Sequence, residues 1–256
     1  MLNSTEERKK VLQNLVSLAH FLGKDTHQLV IQDEGNVSAM IPTEKQTKTF
    51  LISADHANLN TIEEKSFVLI NQKLVLKVLS EKNPSDSLME KVLTEAKMEP
   101  HSDIQPSLET FLHAVCLNVK DIHFVAHTHP VPVAVLTCSS DFPENLRGRI
   151  YPDEIIALGN DSVFVPYTRP GVNLAQRLKL SIADFRQKYQ HSPRIAYLQN
   201  HGMIAMGSSA EEVIHITLMA TKAAAIRVGA LSLGNLHHLS RDETDLITRR
   251  ERKPFQ

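Results

Sequence analysis

The first hydrophobic pattern along the chain is that of an amphipathic helix. Apolar residues recur at helical spacing between Val11 and Leu22, and Ser4 and Glu7 precede them at the spacing of a capping box. Gly23 follows the last apolar position, where a glycine commonly ends a helix. The pattern therefore predicts one helix that begins near Ser4 and ends at Gly23.

Strand-like patterns follow this first helix. Short runs of apolar and β-branched residues, separated by polar turns, predict strands within residues 29–41, 48–60 and 65–79. Gly35-Asn36 interrupts the first of these runs. The polar stretch at residues 80–104 then predicts one short helix at the periphery of the fold.

Prolines mark the boundaries of elements in the middle of the chain. Pro106 suits the first turn of a helix that runs through SLETFLHAVCLN. The run IHFVAHTH predicts a short buried strand, and Pro130 and Pro132 then stop this strand and open another helix. Further along, SVFVPY predicts a strand and GVNLAQRLKLSIADFRQKY predicts an amphipathic helix.

The last third of the chain predicts a strand pair and a long helix. The run RIAYLQNHGMIAMG reads as strand, turn and strand, and Ser208 or Ser209 is placed to cap a helix through AEEVIHITLMATKAAAIRVGALSL. The polar end, TRRERKPFQ, is expected to fray. Short strands with helices before, between and after them indicate one α/β domain with a mixed, largely antiparallel sheet.

Composition limits the kinds of partner. The chain has 256 residues, a formal net charge of -1, 42% hydrophobic residues and 22% charged residues. A domain of this size buries a core without needing disulfides or structural metal. The near-zero charge argues against a nucleic-acid surface or a polybasic membrane anchor. No uninterrupted apolar run reaches the roughly 20 residues of a membrane span, so we expect neither nucleic acid nor membrane as a partner.

Two features bear on the cellular location. The N-terminal run MLNSTEERKK lacks the apolar core of a signal peptide. Cys116 and Cys138 are far apart in sequence and flanked by apolar residues, which is typical of reduced, buried thiols. We therefore expect a cytoplasmic protein.

Histidine is the unusual residue type, with 13 copies against no tryptophan and 4 tyrosines. His127 and His129 occupy positions i and i+2 of a predicted strand, so their side chains point to the same face. Pro130 ends the strand directly after them. Imidazoles are good ligands for zinc and similar divalent ions, but in a chain so rich in histidine the pair alone does not establish a metal site.

Two further groups are candidates to join this pair. Asn200-His201-Gly202 lies between two predicted strands, and its glycine allows a tight turn or a close approach to a ligand. Glu109 is the carboxylate of an otherwise apolar segment and falls in the first turn of a predicted helix. On its own, Glu109 is better explained as a carboxylate that is solvated or that favours a helix N-terminus.

Four short motifs follow one another along the chain. They are GNVS at 35–38, PSLE at 106–109, HTH at 127–129 and NHG at 200–202. As an ordered set they resemble the class II aldolase/adducin family, which includes fuculose- and rhamnulose-phosphate aldolases and ribulose-phosphate 4-epimerase. The resemblance runs from Glu6 to Leu231 and includes the connection VPYTRPGVNLAQ. It implies a three-layer α/β/α domain at residues 1–234, followed by a polar C-terminal tail at 235–256.

The resemblance also implies a metal centre and a reaction. By similarity, His127, His129 and His201 hold a divalent ion, usually Zn²⁺ in the aldolases, with Mn²⁺ or Co²⁺ as alternatives. Three histidines leave a coordination position open, as a catalytic metal requires. Glu109 is implied as the catalytic acid/base and as a candidate fourth ligand in the empty enzyme. The implied reaction is retro-aldol cleavage of a sugar or sugar phosphate through a metal-stabilised enediolate.

In the family's phosphosugar aldolases, backbone amides and small polar side chains hold the phosphate. The matching substrate-binding positions in this chain are Gly35, Asn36, Ser53 and Ser107. Two departures weaken the expectation of a phosphate. The run SADH at 53–56 stands where the family often has Ser-Gly or Thr-Gly, and Leu108 replaces a serine of the family's SSE. His56 offers a compensating donor, although an ordinary loop histidine fits it as well.

Some family members take a tyrosine from the neighbouring subunit as proton donor to the leaving aldehyde. Tyr151 lies in about the right region for this role, although a structural tyrosine fits its spacing equally well. Family members are commonly homotetramers with sites between subunits, so a homotetramer is expected. His113 and His123 read as structural histidines, with His113 also placed to contact Glu109 one helical turn away.

Four functions stay open on the sequence alone. The first is the metal-dependent aldolase, and the second is a ketose-phosphate 4-epimerase of the same family. The third is a lyase or decarboxylase that acts on a non-phosphorylated substrate, which the altered loop at residues 53–56 favours. The fourth is a non-catalytic adducin-like binding module, which the retention of all the ligand positions argues against.

Overall fold

A computed structural model of the chain describes residues 4–42, 48–99 and 103–251. The helices there are α1 (Ser4–Leu22), α2 (Gln72–Lys77), α3 (Asp86–Ala96), α4 (Thr110–Cys116), α5 (Val131–Thr137), α6 (Pro152–Leu158), α7 (Val172–Tyr189), α8 (Ala210–Leu233) and α9 (Arg241–Glu251). The strands there are β1 (Asn36–Ile41), β2 (Thr49–Ser53), β3 (Phe67–Asn71), β4 (Phe124–Thr128), β5 (Val163–Val165), β6 (Ile195–Leu198) and β7 (Gly202–Gly207).

These strands form one sheet of seven strands in the described part of the chain. Their order is β3-β2-β1-β4-β7-β6-β5. Every neighbouring pair is antiparallel except β5 and β6, which run parallel. The prediction of a mixed, largely antiparallel sheet is confirmed, and β4 lies at its centre.

Helices cover both faces of this sheet, because alternate strand residues point to opposite sides. One face carries Val125 of β4 and packs against α2, α3, α4 and α7. The other face carries Ala126 of β4 and packs against α1, α5, α6 and α8. The three-layer α/β/α architecture predicted from the sequence is therefore confirmed.

The first predicted strand segment, residues 29–41, is extended only in its second half. The residues before β1 form turns, in which Gln32 and Gly35 adopt left-handed backbone conformations with φ of 54° and 74°. An extended strand excludes such angles. The strand prediction is therefore wrong for residues 29–35.

The segment at residues 65–79 is a strand followed by a helix. β3 ends at Asn71, whose side chain accepts a hydrogen bond from the amide of Lys73 and so caps α2. This cap satisfies an amide that the start of a helix leaves open, and it allows the apolar residues of α2 to pack against the core. The strand prediction is wrong beyond Asn71.

The helix predicted from Pro106 begins later in the chain. Pro106 forms an isolated β-bridge with Ala54 instead, and α4 begins only at Thr110. Glu109 therefore flanks the helix rather than lying in its first turn, which corrects the sequence expectation. The bridge joins the loop after β2 to the segment that leads into α4.

The other predicted elements are present in the structure. Pro132 lies in the first turn of α5, and β6 and β7 form the predicted antiparallel pair. Ser209 caps α8 by accepting a hydrogen bond from the amide of Glu212. The short helix α6 was not predicted.

The polar tail contributes a helix to the fold. α9 packs against α6, and two of its side chains, Asp245 and Thr248, bond Asn160 at 2.7 Å and 2.6 Å. Fraying was expected at residues 248–256, but residues 248–251 belong to α9, and residues 252–256 lie outside the described residues. The division between residues 1–234 and 235–256 stays a prediction.

One described helix, α8, is long and apolar enough to cross a membrane by length and composition alone. It meets those criteria although polar residues interrupt its sequence. The same test is passed by core helices of soluble proteins, and α8 contacts α1, α5 and α6 as well as strands β4 and β7. These contacts identify α8 as a structural helix of the layer that also contains α1, α5 and α6.

A buried ion cluster ties α6 to α8. The side chains of Glu154 and Arg227 are each 1% exposed, and their charged groups lie 2.7 Å apart. Arg149, equally buried, lies 3.6 Å from the same carboxylate, and burial lowers the pKa of its guanidinium. A buried charge is stable only when it is paired, so Glu154 compensates two guanidinium groups at once.

Replacing this carboxylate is therefore expected to cost much of the domain's stability. Glu154→Gln should lower the free energy of unfolding by about 3–5 kcal/mol, because it leaves two buried cations without a counter-charge. Urea denaturation followed by circular dichroism measures the loss. The matched control is Glu144→Gln, which removes an exposed pair with Arg147 and should cost only about 0–1 kcal/mol. Equal losses in the two variants would contradict the assignment.

Candidate metal centre

Two of the three candidate histidines lie on the central strand β4 or directly after its end. His127 is fully buried and lies opposite Asn36 of β1 on one side and Ile204 of β7 on the other. His129 follows the end of the strand, and its amide donates a hydrogen bond to the carbonyl of Leu29. Both imidazoles project toward the α4 side of the sheet, because positions 125, 127 and 129 share one strand face.

The third histidine comes from the turn between β6 and β7. Asn200 adopts a left-handed conformation with φ of 54°, and its amide donates to the carbonyl of Thr137 at the end of α5. The amide of His201 donates to the carbonyl of Leu198, which closes the turn. The turn therefore holds His201 beside the end of β4.

The three imidazoles converge closely. The ring centroid of His127 lies 4.6 Å from that of His129 and 4.7 Å from that of His201, and the latter two centroids are 5.1 Å apart. The Nε2 atoms of His127 and His129 are 3.1 Å apart. One nitrogen of each residue lies within 4.8 Å of the others, which makes this trio a candidate metal group in the described part of the chain.

The protonation states suit a metal. Burial lowers the pKa of His127 well below its usual range, and the neighbouring imidazoles lower it further. Burial also lowers the pKa of His201, to about 4. These two rings are therefore neutral near pH 7, the form that binds a cation. The donor set fits a divalent ion such as zinc, because neutral imidazole nitrogens are its common ligands.

Two glycines make room for this arrangement. A Cβ on Gly202 would lie 2.5 Å from Cδ2 of His129 and 2.5 Å from the carbonyl oxygen of Thr128. A Cβ on Gly35 would lie 2.7 Å from the carbonyl oxygen of His127, and Gly35 also needs its positive φ. Each glycine therefore permits a close approach to the segment that carries the histidines.

The predicted acid/base lies next to the same strand pair. The carboxylate of Glu109 accepts a hydrogen bond from Nδ2 of Asn36 at 3.2 Å. Because Asn36 pairs with His127 across β1 and β4, this contact brings the half-buried Glu109 to the side of the sheet that carries the histidines.

The predicted substrate positions have different environments. The hydroxyl of Ser53 accepts a hydrogen bond from the amide of Val37 and so joins β2 to β1. The hydroxyl of Ser107 is buried and has no partner among the described residues. The bridge between Ala54 and Pro106 brings these two serines to neighbouring segments. Ser107 is thus the one of the pair whose hydroxyl has no hydrogen-bond partner in the described structure.

The departures in the predicted phosphate region have structural consequences. His56 takes a left-handed conformation with φ of 55° and contacts two carboxylates, Asp33 at 2.8 Å and Asp55 at 3.6 Å. The hydrogen bond that His56 donates to the carboxylate of Asp33 raises the pKa of His56. The delta carbons of Leu108 pack toward Gly171, 3.3 Å from where a Cβ on that glycine would lie. The surroundings of His56 are therefore acidic, and the side chain of Leu108 packs toward Gly171.

Tyr151 is not brought to the histidines within one chain. It flanks α6, in the helix layer that contains α1, α5, α6 and α8, and its hydroxyl contacts the sulfur of Met219 on α8 at 2.8 Å. Burial raises the pKa of Tyr151 to about 12. Its predicted role requires a neighbouring subunit and stays a prediction.

One neighbour of the site was missed from the sequence. A carboxylate oxygen of Glu34 lies 3.6 Å from Nδ1 of His129, and its position beside Gly35 was the available signal. The backbone amide of His113 donates to the carbonyl of Glu109, but its side chain bonds Ser38 and Asn36 instead of the Glu109 carboxylate. No local pattern announces these contacts, because they join residues more than 70 positions apart.

Comparison with known proteins identifies the family. The family model of the class II aldolase and adducin N-terminal domain matches residues 13–228. The chain therefore belongs to the class II aldolase and adducin N-terminal domain family, and the resemblance carried by the four motifs is confirmed.

Solved structures share the fold at low sequence identity. An L-fuculose 1-phosphate aldolase is 20% identical with a TM-score of 0.68, covering 94% of this chain and 95% of that chain. The N-terminal class II aldolase domain of a conserved protein from Thermoplasma acidophilum is 22% identical with a TM-score of 0.67, covering 85% of this chain and 93% of that chain. These similarities show the fold alone.

One curated relative is a longer protein. The uncharacterized oxidoreductase YuxG of Bacillus subtilis (strain 168) is 23% identical over 214 residues, covering 82% of this chain. The matched region is 28% of that protein. The chain thus spans less than a third of the length of this relative.

The contact between Gly202 and His129 generates a test of the metal centre. Gly202→Ala should push the His129 ring out of position and weaken binding of Zn²⁺ by about 10–100-fold, the usual effect of disturbing the groups that orient a ligand. Competition with a fluorescent zinc chelator measures the affinity. Gly229→Ala on α8 is the matched control, since a Cβ there meets nothing within 4 Å. An unchanged affinity in Gly202→Ala would rule out the proposed packing constraint.

Proposed function

We propose that this protein is a divalent-metal-dependent aldolase that cleaves a sugar or sugar phosphate by a retro-aldol reaction. The observation that carries the proposal is the convergence of His127, His129 and His201 on the side of the sheet where Asn36 holds Glu109. Membership of the class II aldolase and adducin family supports it, as do the structural neighbours that are aldolases.

The three histidines are the proposed metal ligands, with Glu109 as a fourth in the absence of substrate. Zn²⁺ is the proposed ion, and Mn²⁺ or Co²⁺ suit the same imidazole donors. When bound, such an ion supplies a Lewis acid that polarises the carbonyl oxygen of a ketose. The low pKa values of His127 and His201 keep these ligands neutral and ready to bind.

Glu109 is the proposed acid/base. Asn36 donates to its Oε2, which holds the carboxylate in one orientation and leaves Oε1 to exchange a proton with the substrate. In the cleavage direction, Glu109 gives a proton to the carbon that loses its bond. In the reverse direction, the same oxygen removes that proton.

The remaining roles complete the proposal. Gly35, Asn36, Ser53 and Ser107 are the proposed substrate-binding positions, and the unpartnered hydroxyl of Ser107 supports its inclusion. Tyr151 is the proposed proton donor to the aldehyde oxygen in the condensation direction, acting on the site of a neighbouring subunit in a homotetramer. A cytoplasmic location is proposed with them.

A second candidate is a lyase or decarboxylase that acts on a substrate without a phosphate. Asp55 precedes His56 in the loop where a phosphate is expected, and Asp33 reaches His56 from the turn before β1, so two carboxylates lie there and like charges repel a phosphate dianion. The amide of Asp55 already donates to the carbonyl of Gln105. The acidic loop and the packed Leu108 favour an uncharged group at this end of the substrate.

Substitution of the ligand and the base should separate their roles. His129→Ala is expected to lose stoichiometric metal while its circular dichroism spectrum stays unchanged. Glu109→Gln should keep the metal and lose about 10²–10⁴-fold in kcat, the usual contribution of a general acid or base. Elemental analysis and steady-state kinetics measure the two effects, with the exposed His191→Ala as control. Stoichiometric metal in His129→Ala, or near-normal turnover in Glu109→Gln, would count against the proposal.

The substrate class can be tested by pairing substrates with one substitution. Free ketoses and keto-acids are compared with ketose phosphates, and products are separated by chromatography to distinguish cleavage, epimerisation and decarboxylation. If the acidic loop excludes phosphate, Asp55→Ser should raise kcat/KM for a ketose phosphate about fivefold, as expected for removing about 1 kcal/mol of repulsion. Asp184→Ser, at an exposed position of α7, is the control. Efficient turnover of phosphates by the unaltered protein, unaffected by Asp55→Ser, would reject the second candidate.

A further inference from the structure

A chain of hydrogen bonds leads to Glu109 from the core between the sheet and helix α4. His113 lies in the middle of α4 and is fully buried. Its Nδ1 bonds the hydroxyl of Ser38 at 2.6 Å, and its Nε2 bonds Oδ1 of Asn36. Nδ2 of Asn36 in turn donates to Glu109 at 3.2 Å. The chain therefore joins two residues of β1 to a residue of α4 and to the residue that precedes α4.

The donor and the acceptor of every hydrogen bond in this chain follow from the carboxylate of Glu109 at its end. An ionised carboxylate only accepts hydrogen bonds, so the amide nitrogen of Asn36 faces Glu109 and the amide oxygen faces His113. Nε2 of His113 must then carry the hydrogen, and Nδ1 accepts from the hydroxyl of Ser38. Burial lowers the pKa of His113 to about 3, so the ring is neutral and has one donor and one acceptor.

We propose that His113 is a positioning residue that fixes the orientation of the Glu109 carboxylate through Asn36. An asparagine side chain turned by half a rotation would present its oxygen, instead of its nitrogen, to Glu109. The hydrogen on Nε2 of His113 prevents this turn, because it needs the oxygen of Asn36 as its acceptor. The inference rests on the proposed function only in that Glu109 is the group that moves the proton.

Two isosteric substitutions isolate the bond that matters. The amide nitrogen of a glutamine reaches the place of Nε2, so His113→Gln keeps a donor for Asn36. The amide of an asparagine reaches only the place of Nδ1, so His113→Asn keeps a polar group near Ser38 and loses the donor for Asn36. The two variants place similar amide groups in the same buried position, which makes each the control of the other.

The expected result is a difference in kcat. His113→Asn should lose about 10–100-fold in kcat, the value of a hydrogen bond to a charged group, while KM and bound metal stay unchanged. His113→Gln should stay within about threefold of the unaltered protein. His20→Asn is a further control. His20 lies on α1, on the other face of the sheet, and bonds the carbonyl of Ile62. Equal activity of the two His113 variants, high or low, would overturn the inference.

A double substitution tests whether His113 acts through Asn36. In an Asn36→Ala background, adding His113→Asn should change kcat by less than about twofold, because the connection is already cut. A full additional loss would contradict the chain of bonds. Glu109→Gln, measured alongside, distinguishes the two proposals. If it is inactive while His113→Asn is fully active, only the positioning role is wrong, whereas a fully active Glu109→Gln rejects the proposed function.

A measurement without substrate tests the same chain in the unaltered protein. Nitrogen-15 spectra of the histidine-labelled, metal-free protein at pH 7 should show the His113 ring neutral, with its hydrogen on Nε2. His113→Gln assigns the signal by its disappearance. A hydrogen on Nδ1, or a charged ring, would overturn the inference whatever the enzyme's substrate proves to be.

Discussion

The pairing of β4 with its two neighbours is the constraint on which the candidate site depends. β4 lies between β1 and β7, so the register of two antiparallel ladders fixes the position of His127 to within one residue. A slip of one residue would turn His127 and His129 toward the other layer of helices, because strand side chains alternate. The same ladder sets Asn36 opposite His127, and through Asn36 it sets Glu109. The two proposed metal ligands at β4 and the proposed acid/base therefore depend on one strand register.

Burial gives these groups their chemical character. His127 is withdrawn from water, which makes a charged imidazolium costly and keeps its ring in the form that binds cations. His113 is equally buried, and its two ring nitrogens are used by Ser38 and Asn36. The proposals therefore give one kind of side chain two roles in the core. Some neutral histidines would present lone pairs to a ligand, and another would fix the direction of a hydrogen bond.

Local sequence signals predicted most of the framework. Helical periodicity located α1, α7 and α8, and the histidines of HTH and NHG were recognised because strand parity and the glycine turn are short-range properties. The signals failed where a single local bond decided the outcome. Asn71 caps α2 and ends the strand that its apolar neighbours favour.

The rest of the site depends on contacts that cross the fold. The links from His113 to Ser38 and Asn36 span 75 and 77 positions, and neither periodicity nor spacing encodes them. The start of α4 was also misplaced, because Pro106 pairs with Ala54 and a turn at residues 108–109 then leads into the helix. A sequence pattern reports which face a residue occupies. It does not report which distant side chain that residue contacts on that face.

The hydrogen bond from Asn200 to Thr137 has a mechanical consequence. Thr137 ends α5, and α5 follows His129 after a single proline. The turn that carries His201 and the strand end that carries His129 are thus fastened to opposite ends of one short helix. A small shift of α5 would therefore move His129 and His201 together, whereas His127 is held in place by the strand ladders of β4. Such a shift would change the distances from His129 and His201 to His127 and to Glu109, while the spacing between His129 and His201 would be preserved.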